Sequence, residues 1–182
     1  GDEDELTVPL PFTFDYYGVA YDEVTLDSNG VVLFGAAEEI SLSNACIPGD
    51  NTYGGDAFIA LLWDDLDASA NGAVGVYHAT IGQPGHQRFI VSFISVPHWT
   101  TTAFFDVQAA LFDGNGEIEI HYATIHAVDP TYGLGAGPPA GIQGAAATGS
   151  HRSRHRDPLP PGPASRPSPH STTAARAACS PC

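Results

Sequence analysis

Residues 21–34 read Tyr21-Asp22-Glu23-Val24-Thr25-Leu26-Asp27-Ser28-Asn29-Gly30-Val31-Val32-Leu33-Phe34. Val24 and Leu26 alternate with Thr25 and Asp27, the period-two pattern of a half-buried strand. Ser28-Asn29-Gly30 supplies residues that tolerate positive φ, as a tight turn requires, and Val31 to Phe34 return the chain. A β-hairpin over residues 21–34 follows.

The same grammar extends in both directions. Upstream, Phe12, Phe14 and Tyr16 alternate with small or polar residues. Downstream, after a long loop from Gly35 to Asp56, come strand candidates at Ala57–Trp63, Ala73–Thr80, Arg88–Val96 and Ala103–Phe112. The run Ala57–Trp63 is apolar at every position, so a central strand covered on both faces is expected there. Asp113-Gly114-Asn115-Gly116 is a turn, and Glu117 to Tyr122 alternate strictly, with Ile118, Ile120 and Tyr122 expected to face inward. Gly141-Ile142-Gln143 adds a short last strand. No stretch sustains helical spacing, and about eight strands separated by Gly, Pro, Asn and Asp predict an all-β fold, an antiparallel two-sheet β-sandwich.

Charge divides the 182 residues into two materials. Residues 1–150 hold 20 acids and a single base, Arg88, whereas residues 151–182 hold five arginines and Asp157; there is no lysine. From residue 149 the chain is rich in Pro and Arg, with Leu159 its only large aliphatic residue, and cannot bury a core. The sequence therefore predicts a folded domain over 6–148 and a disordered tail over 149–182, which also has the look of a translated reading-frame artefact. An acidic body lacks the electrostatic term that drives binding to nucleic acid or anionic lipid. Its longest wholly apolar run, Ala57–Trp63, falls far short of the roughly 20 residues of a membrane-spanning helix. No nucleic-acid partner and no membrane insertion are expected, and charge of one sign predicts a monomer. The opening Gly1, followed by Asp2-Glu3-Asp4-Glu5, reads as a processed or trimmed product.

Catalytic patterns are sparse. His78, His86, His98, His121 and His126 show no metal-binding spacing, no G-x-S-x-G occurs, and Cys46 sits in a Pro/Gly loop without a partner nearby in sequence. Cys179-Ser180-Pro181-Cys182 lacks a second ligand pair. No enzyme is expected. The richest set of oxygen ligands is Asp64 to Gly72. Asp67, Ser69, Asn71 and Gly72 follow the start of a calcium loop, so Asp65, Asp67, Ser69 and Asn71 are the candidate metal ligands, for Ca²⁺. The position where such a loop closes on Glu is His78, and a turn capped by its own carboxylates is the simpler reading. No other cofactor is expected. Trp99, Tyr53, Tyr132 and Tyr17 lie in or near loops, where an aromatic ring can stack on a sugar or fill a partner's pocket.

Seven pieces in order carry a resemblance: Leu10-Pro11-Phe12-Thr13-Phe14 with Tyr16-Tyr17-Gly18; Ser28-Asn29-Gly30 with Phe34-Gly35; Ile59 to Asp67; Gly75-Val76-Tyr77-His78; Arg88 to Val91; Phe105 to Leu111; and Ile118 to Tyr122, followed by Ala140 to Gln143. Together, over residues 8 to about 148, the chain resembles the nidogen-like extracellular β-domain and its bacterial secreted relatives. Leu61 and Leu62 stand where that family often has Pro and Phe. The resemblance implies a secreted or cell-surface module without chemistry, and the reading that follows is an adhesion or interaction module that binds an extracellular protein or surface ligand through its end loops. A carbohydrate-binding module assisted by calcium, with a glycan ligand, is the alternative. An unrecognised secreted hydrolase is a third reading.

Overall fold

Asn29 and Gly30 let the chain reverse in three residues: Gly30 adopts φ +80° and its amide donates to the Asp27 carbonyl at 3.3 Å. The flanking segments pair from Val24 with Phe34 to Asp27 with Val31, the predicted hairpin. The computed structural model describes residues 2–35, 47, 57–99, 103–126 and 140–144, all within the unit Gly1–Arg152. The tail from residue 149, Cys46, Tyr53, Tyr132 and most of the loop after Gly35 lie outside the described residues.

Among the described residues nine strands form two wholly antiparallel sheets. In chain order they are β1 (Glu5–Tyr16), β2 (Val19–Asp27), β3 (Val31–Phe34), β4 (Phe58–Ala60), β5 (Gly75–Ile81), β6 (Arg88–Pro97), β7 (Phe104–Phe112), β8 (Ile118–His126) and β9 (Gly141–Gln143). One sheet has the order β1-β2-β3-β4-β9 and the other β5-β6-β7-β8. Their inner faces share one core. Val8, Phe14, Val24, Val32 and Ile59 from the first sheet pack with Phe89, Val91, Phe93, Phe105, Val107 and Leu111 from the second, and Ile118, Ile120 and Tyr122 of β8 close it from the side. The all-β sandwich read from the sequence is the fold observed.

Two details differ from the sequence reading. The apolar run Ala57–Trp63 is a strand only over Phe58–Ala60. The chain then turns, because the amides of Leu61 and Leu62 donate to the Gly30 carbonyl, at 2.9 and 3.3 Å, instead of to a neighbouring strand. Apolarity on both faces nevertheless has the expected cause. Ile59 and Leu61 enter the shared core, while Phe58, Ala60 and Trp63 join Val31 and Leu33 in a second cluster on the outer face, against which Ile47 packs. The outer face of β2 is likewise covered where half-burial is predicted: Thr25 and Asp27 are buried, and the Thr25 hydroxyl bonds with Thr7 Oγ1 and the Gly35 carbonyl.

Edge strand β1 carries Pro9 and Pro11, which an interior strand could not accommodate because proline donates no ladder hydrogen bond. Around them the pairing with β2 jumps, from Pro9 opposite Glu23 to Phe14 opposite Tyr21, a multi-residue bulge that bends the strand over the core. Tyr16 anchors its far end, donating from its hydroxyl to the Phe58 carbonyl at 2.9 Å.

Candidate functional site

The Asp27–Gly30 turn organises one end of the sandwich. Gly30 is required there for space as well as conformation, since a Cβ would run into the Leu62 carbonyl oxygen. Asn29 is buried and works at four atoms. Its amide donates to Asp27 Oδ1 at 2.6 Å, its Oδ1 accepts from the Leu66 amide at 2.9 Å, and its Nδ2 donates to Glu3 Oε2 at 2.9 Å. Its carbonyl accepts from the Asp64 amide at 3.3 Å. One residue thus ties the segment before β1, the β2–β3 turn and the loop after β4 into a single frame.

The loop after β4 is also tied to the opposite sheet. Leu66 bridges His98, the Asp67 amide donates to the Pro97 carbonyl, and the Trp99 amide donates to the Asp65 carbonyl, the last two at 2.9 Å. His98 Nε2 lies 3.7 Å from Asp64 Oδ1, with both side chains largely buried. Ser28 closes the remaining side: its Oγ accepts from the Asp4 amide at 3.1 Å, and its own amide donates to the Asp4 carbonyl at 3.0 Å.

Among the described residues eight carboxylates gather on this frame: Asp2, Glu3, Asp4, Glu5, Asp27, Asp64, Asp65 and Asp67. Among the described residues no Lys or Arg accompanies them. Arg88 sits at the other end of the second sheet, over the Phe112 ring at 4.6 Å. Crowding shows in the acid–base properties. Burial, and next the neighbouring Asp67 and Asp65 carboxylates, hold the Asp2 carboxyl above its ordinary value. Burial lifts Asp27 to about 7, opposed by the Asn29 amide and reinforced by Glu5 and Glu3. Asp64 is also raised by burial, against the pull of the Asp65 amide and His98. Asp67 alone is lowered, first by the Ser69 hydroxyl.

Beside these acids runs a groove of ≈ 300 Å³ between the edges of the two sheets, β1 and β5, where Leu6, Leu26, Ala68 and Val76 meet Asp4, Glu5 and Ser28. Trp99 and Val74 stand exposed at the same end. The arrangement combines a cluster of carboxylates, a groove with both apolar and acidic walls and an exposed indole.

The four residues proposed from sequence as calcium ligands fall at this end. Asp65 and Asp67 lie close enough to Asp2 to raise its pKa. Asp67 Oδ1 accepts from the Ser69 amide at 2.8 Å and the Ser69 hydroxyl at 2.6 Å, the bonding of a self-capped turn. Asn71 is exposed in the turn that follows, and His78, at the closing position, stacks on Phe89 within β5. Among the described residues no group of three His, Cys, Asp or Glu is arranged to hold a metal ion. Of the four loop aromatics, Trp99 belongs to the acidic end and Tyr17 lies at the far end of β1, edge-on to Tyr16. The sequence reading missed Asp2–Glu5, Asp27 and Asn29 as parts of the site. The acidic run at 2–5 and the S-N-G turn were visible, but nothing local indicates that they meet.

The family described as NIDO related matches residues 1–166 of the chain. No curated protein and no solved structure matches it.

Proposed function

The chain belongs to the NIDO-related family, a family of extracellular type, and on that premise we propose that it is a non-catalytic recognition module, secreted or displayed at a cell surface. It binds an extracellular protein that presents basic and apolar side chains to the acidic end. The observation that carries this reading is the set of carboxylates held on the Asn29–Gly30 frame, with no Lys or Arg among the described residues to neutralise it. Fixed charge of one sign steers an oppositely charged partner and sets its orientation, while the groove beside β1 supplies apolar contact.

A second reading rests on Trp99, a residue 52% exposed beside the acids. An indole on a rigid loop is a platform for a sugar ring, and this is the version in which a glycan is the ligand. An array of extracellular proteins and glycans, probed with the wild-type chain, Asp65→Asn/Asp67→Asn and Trp99→Ala, tests both. Retention of a basic protein that weakens with added salt and in the Asp double variant supports the first reading. Retention of a glycan lost only in Trp99→Ala supports the second, and binding unaffected by either variant removes the acidic end from consideration.

A further inference from the structure

The pair Asn-Gly occurs three times in the chain, at Asn29-Gly30, Asn71-Gly72 and Asn115-Gly116. In this dipeptide the glycine amide nitrogen can attack the side-chain carbonyl carbon of the asparagine before it, because glycine has no Cβ to obstruct the approach. The attack needs an asparagine side chain that can turn toward its own backbone and a glycine amide that is not held elsewhere. The fold treats the three pairs differently.

Asn29 is held on every side. It is buried, its Oδ1 accepts from the Leu66 amide and its Nδ2 donates to Glu3 Oε2, both at 2.9 Å. The Gly30 amide donates to the Asp27 carbonyl at 3.3 Å, and Gly30 is packed against the Leu62 carbonyl oxygen. Asn115 is exposed but tied at both atoms of its carboxamide: Oδ1 accepts from the Glu117 amide and Nδ2 donates to Glu117 Oε2, each at 3.0 Å. A Cβ at Gly116 would stand 3.2 Å from the Asp15 carbonyl oxygen.

Asn71 has none of these restraints. Asn71 and Gly72 are both exposed, and among the described residues no hydrogen bond reaches the Asn71 side chain or the Gly72 amide. Gly72 has φ +98°, and a Cβ there would meet nothing within 4 Å. The turn that carries the pair is closed by the Ala70 amide on the Asp67 carbonyl, at 3.3 Å, and the Ala73 amide on the Ala70 carbonyl, at 3.0 Å. Neither bond involves a reacting atom.

We propose that Asn71 is a site of spontaneous deamidation in the folded chain, converting to aspartate and isoaspartate while Asn29 and Asn115 are protected. The Gly72 nitrogen gives its proton to solvent and its electron pair to Asn71 Cγ. The bond from Cγ to Nδ2 breaks, and the nitrogen leaves as ammonia, closing a succinimide ring. Water then adds to either ring carbonyl, and the carbon–nitrogen bond at that carbonyl breaks as the nitrogen regains a proton. The product is a new carboxylate two residues beyond Ser69, at the acidic end. In the isoaspartate form the main chain runs through the side-chain carbon, lengthening a turn near Ala68 in the groove wall.

Incubation of the folded full chain at mildly alkaline pH, with chymotryptic mapping by mass spectrometry, reads all three sites together, and isoaspartyl methyltransferase labels the isoaspartate. Conversion at Asn71 is expected to run about tenfold faster than at Asn115, where two hydrogen bonds must break first. Asn29 stays intact, because only opening of the fold releases it. Asn71→Gln abolishes the early product and the methyl label. In urea that unfolds the chain, the three rates converge. Conversion of Asn115 as fast as Asn71 in the folded chain overturns the proposal, and so does an Asn71 that keeps its amide when folded and loses it in urea. A lead for Asn71 that persists undiminished in urea overturns it too, since the local sequence and not the fold would then set the rate.

Discussion

Replacing Asp27 with asparagine should make the protein more stable, by an amount that grows as the pH rises from about 4 to about 7 and stays constant above. Asp27 ends β2 with its residue 3% exposed, opposite Glu5 in the β1 register and beside the Asn29 amide. Burial raises its carboxyl to about 7, against the partial relief given by that amide. A carboxyl whose folded pKa lies above its unfolded value binds its proton more tightly in the native state, so native stability falls as pH rises between the two. From about 3.9 in the unfolded chain to about 7 in the fold, the loss reaches ~4 kcal/mol above pH 7. The carboxamide of the Asp27→Asn variant cannot ionise, and its carbonyl oxygen accepts the same hydrogen bond from the Asn29 amide. Urea unfolding at pH 4 and pH 8 therefore reads the effect: near-equal midpoints at pH 4, and at pH 8 a variant more stable by up to ~4 kcal/mol, or a Tm higher by roughly 10 °C. A variant that is less stable at pH 8, or whose advantage is the same at both pH values, would refute the reasoning.

Gly30→Ala combines a positive φ with a collision against the Leu62 carbonyl, and a loss of at least ~3 kcal/mol is expected by denaturant titration. Asn29→Ala orphans the buried Leu66 amide and should cost about 2–3 kcal/mol, with the Leu66 amide losing its protection from hydrogen exchange. Tyr16→Phe and Tyr122→Phe remove hydroxyl donors to the Phe58 and Leu61 carbonyls; each should lower stability by about 1 kcal/mol, in equilibrium unfolding, without disturbing the fold seen by circular dichroism.

What could be read from the sequence was local. The hairpin at 21–34, the Asp113–Gly116 turn and the inward Ile118, Ile120 and Tyr122 depend on turn residues and period-two alternation, which act within a few positions. The early end of β4 depends on the Gly30 carbonyl, about thirty residues away in the chain, accepting the Leu61 and Leu62 amides, and no pattern within 57–63 announces it. The bulge in β1 was half legible: Pro9 and Pro11 indicate an edge, but the jump in register is set by the core that Phe14 and Tyr16 must reach. The site divides in the same way. Asp64 to Asn71 and Trp99 stand out by composition, whereas their union with Glu3, Asp27 and His98 is made by Asn29 and by the Leu66–His98 bridge, contacts that join distant segments.

The acidic end is a fixed surface, held by the Asn29–Gly30 turn, and amide hydrogen exchange of the folded chain tests that most directly. The amides of Leu61, Leu66, Asp67 and Trp99, which donate to Gly30, Asn29, Pro97 and Asp65, should exchange as slowly as those in the middle of β6 and β7. Exchange of these four at the rate of an open loop, while the two central strands remain protected, would contradict it.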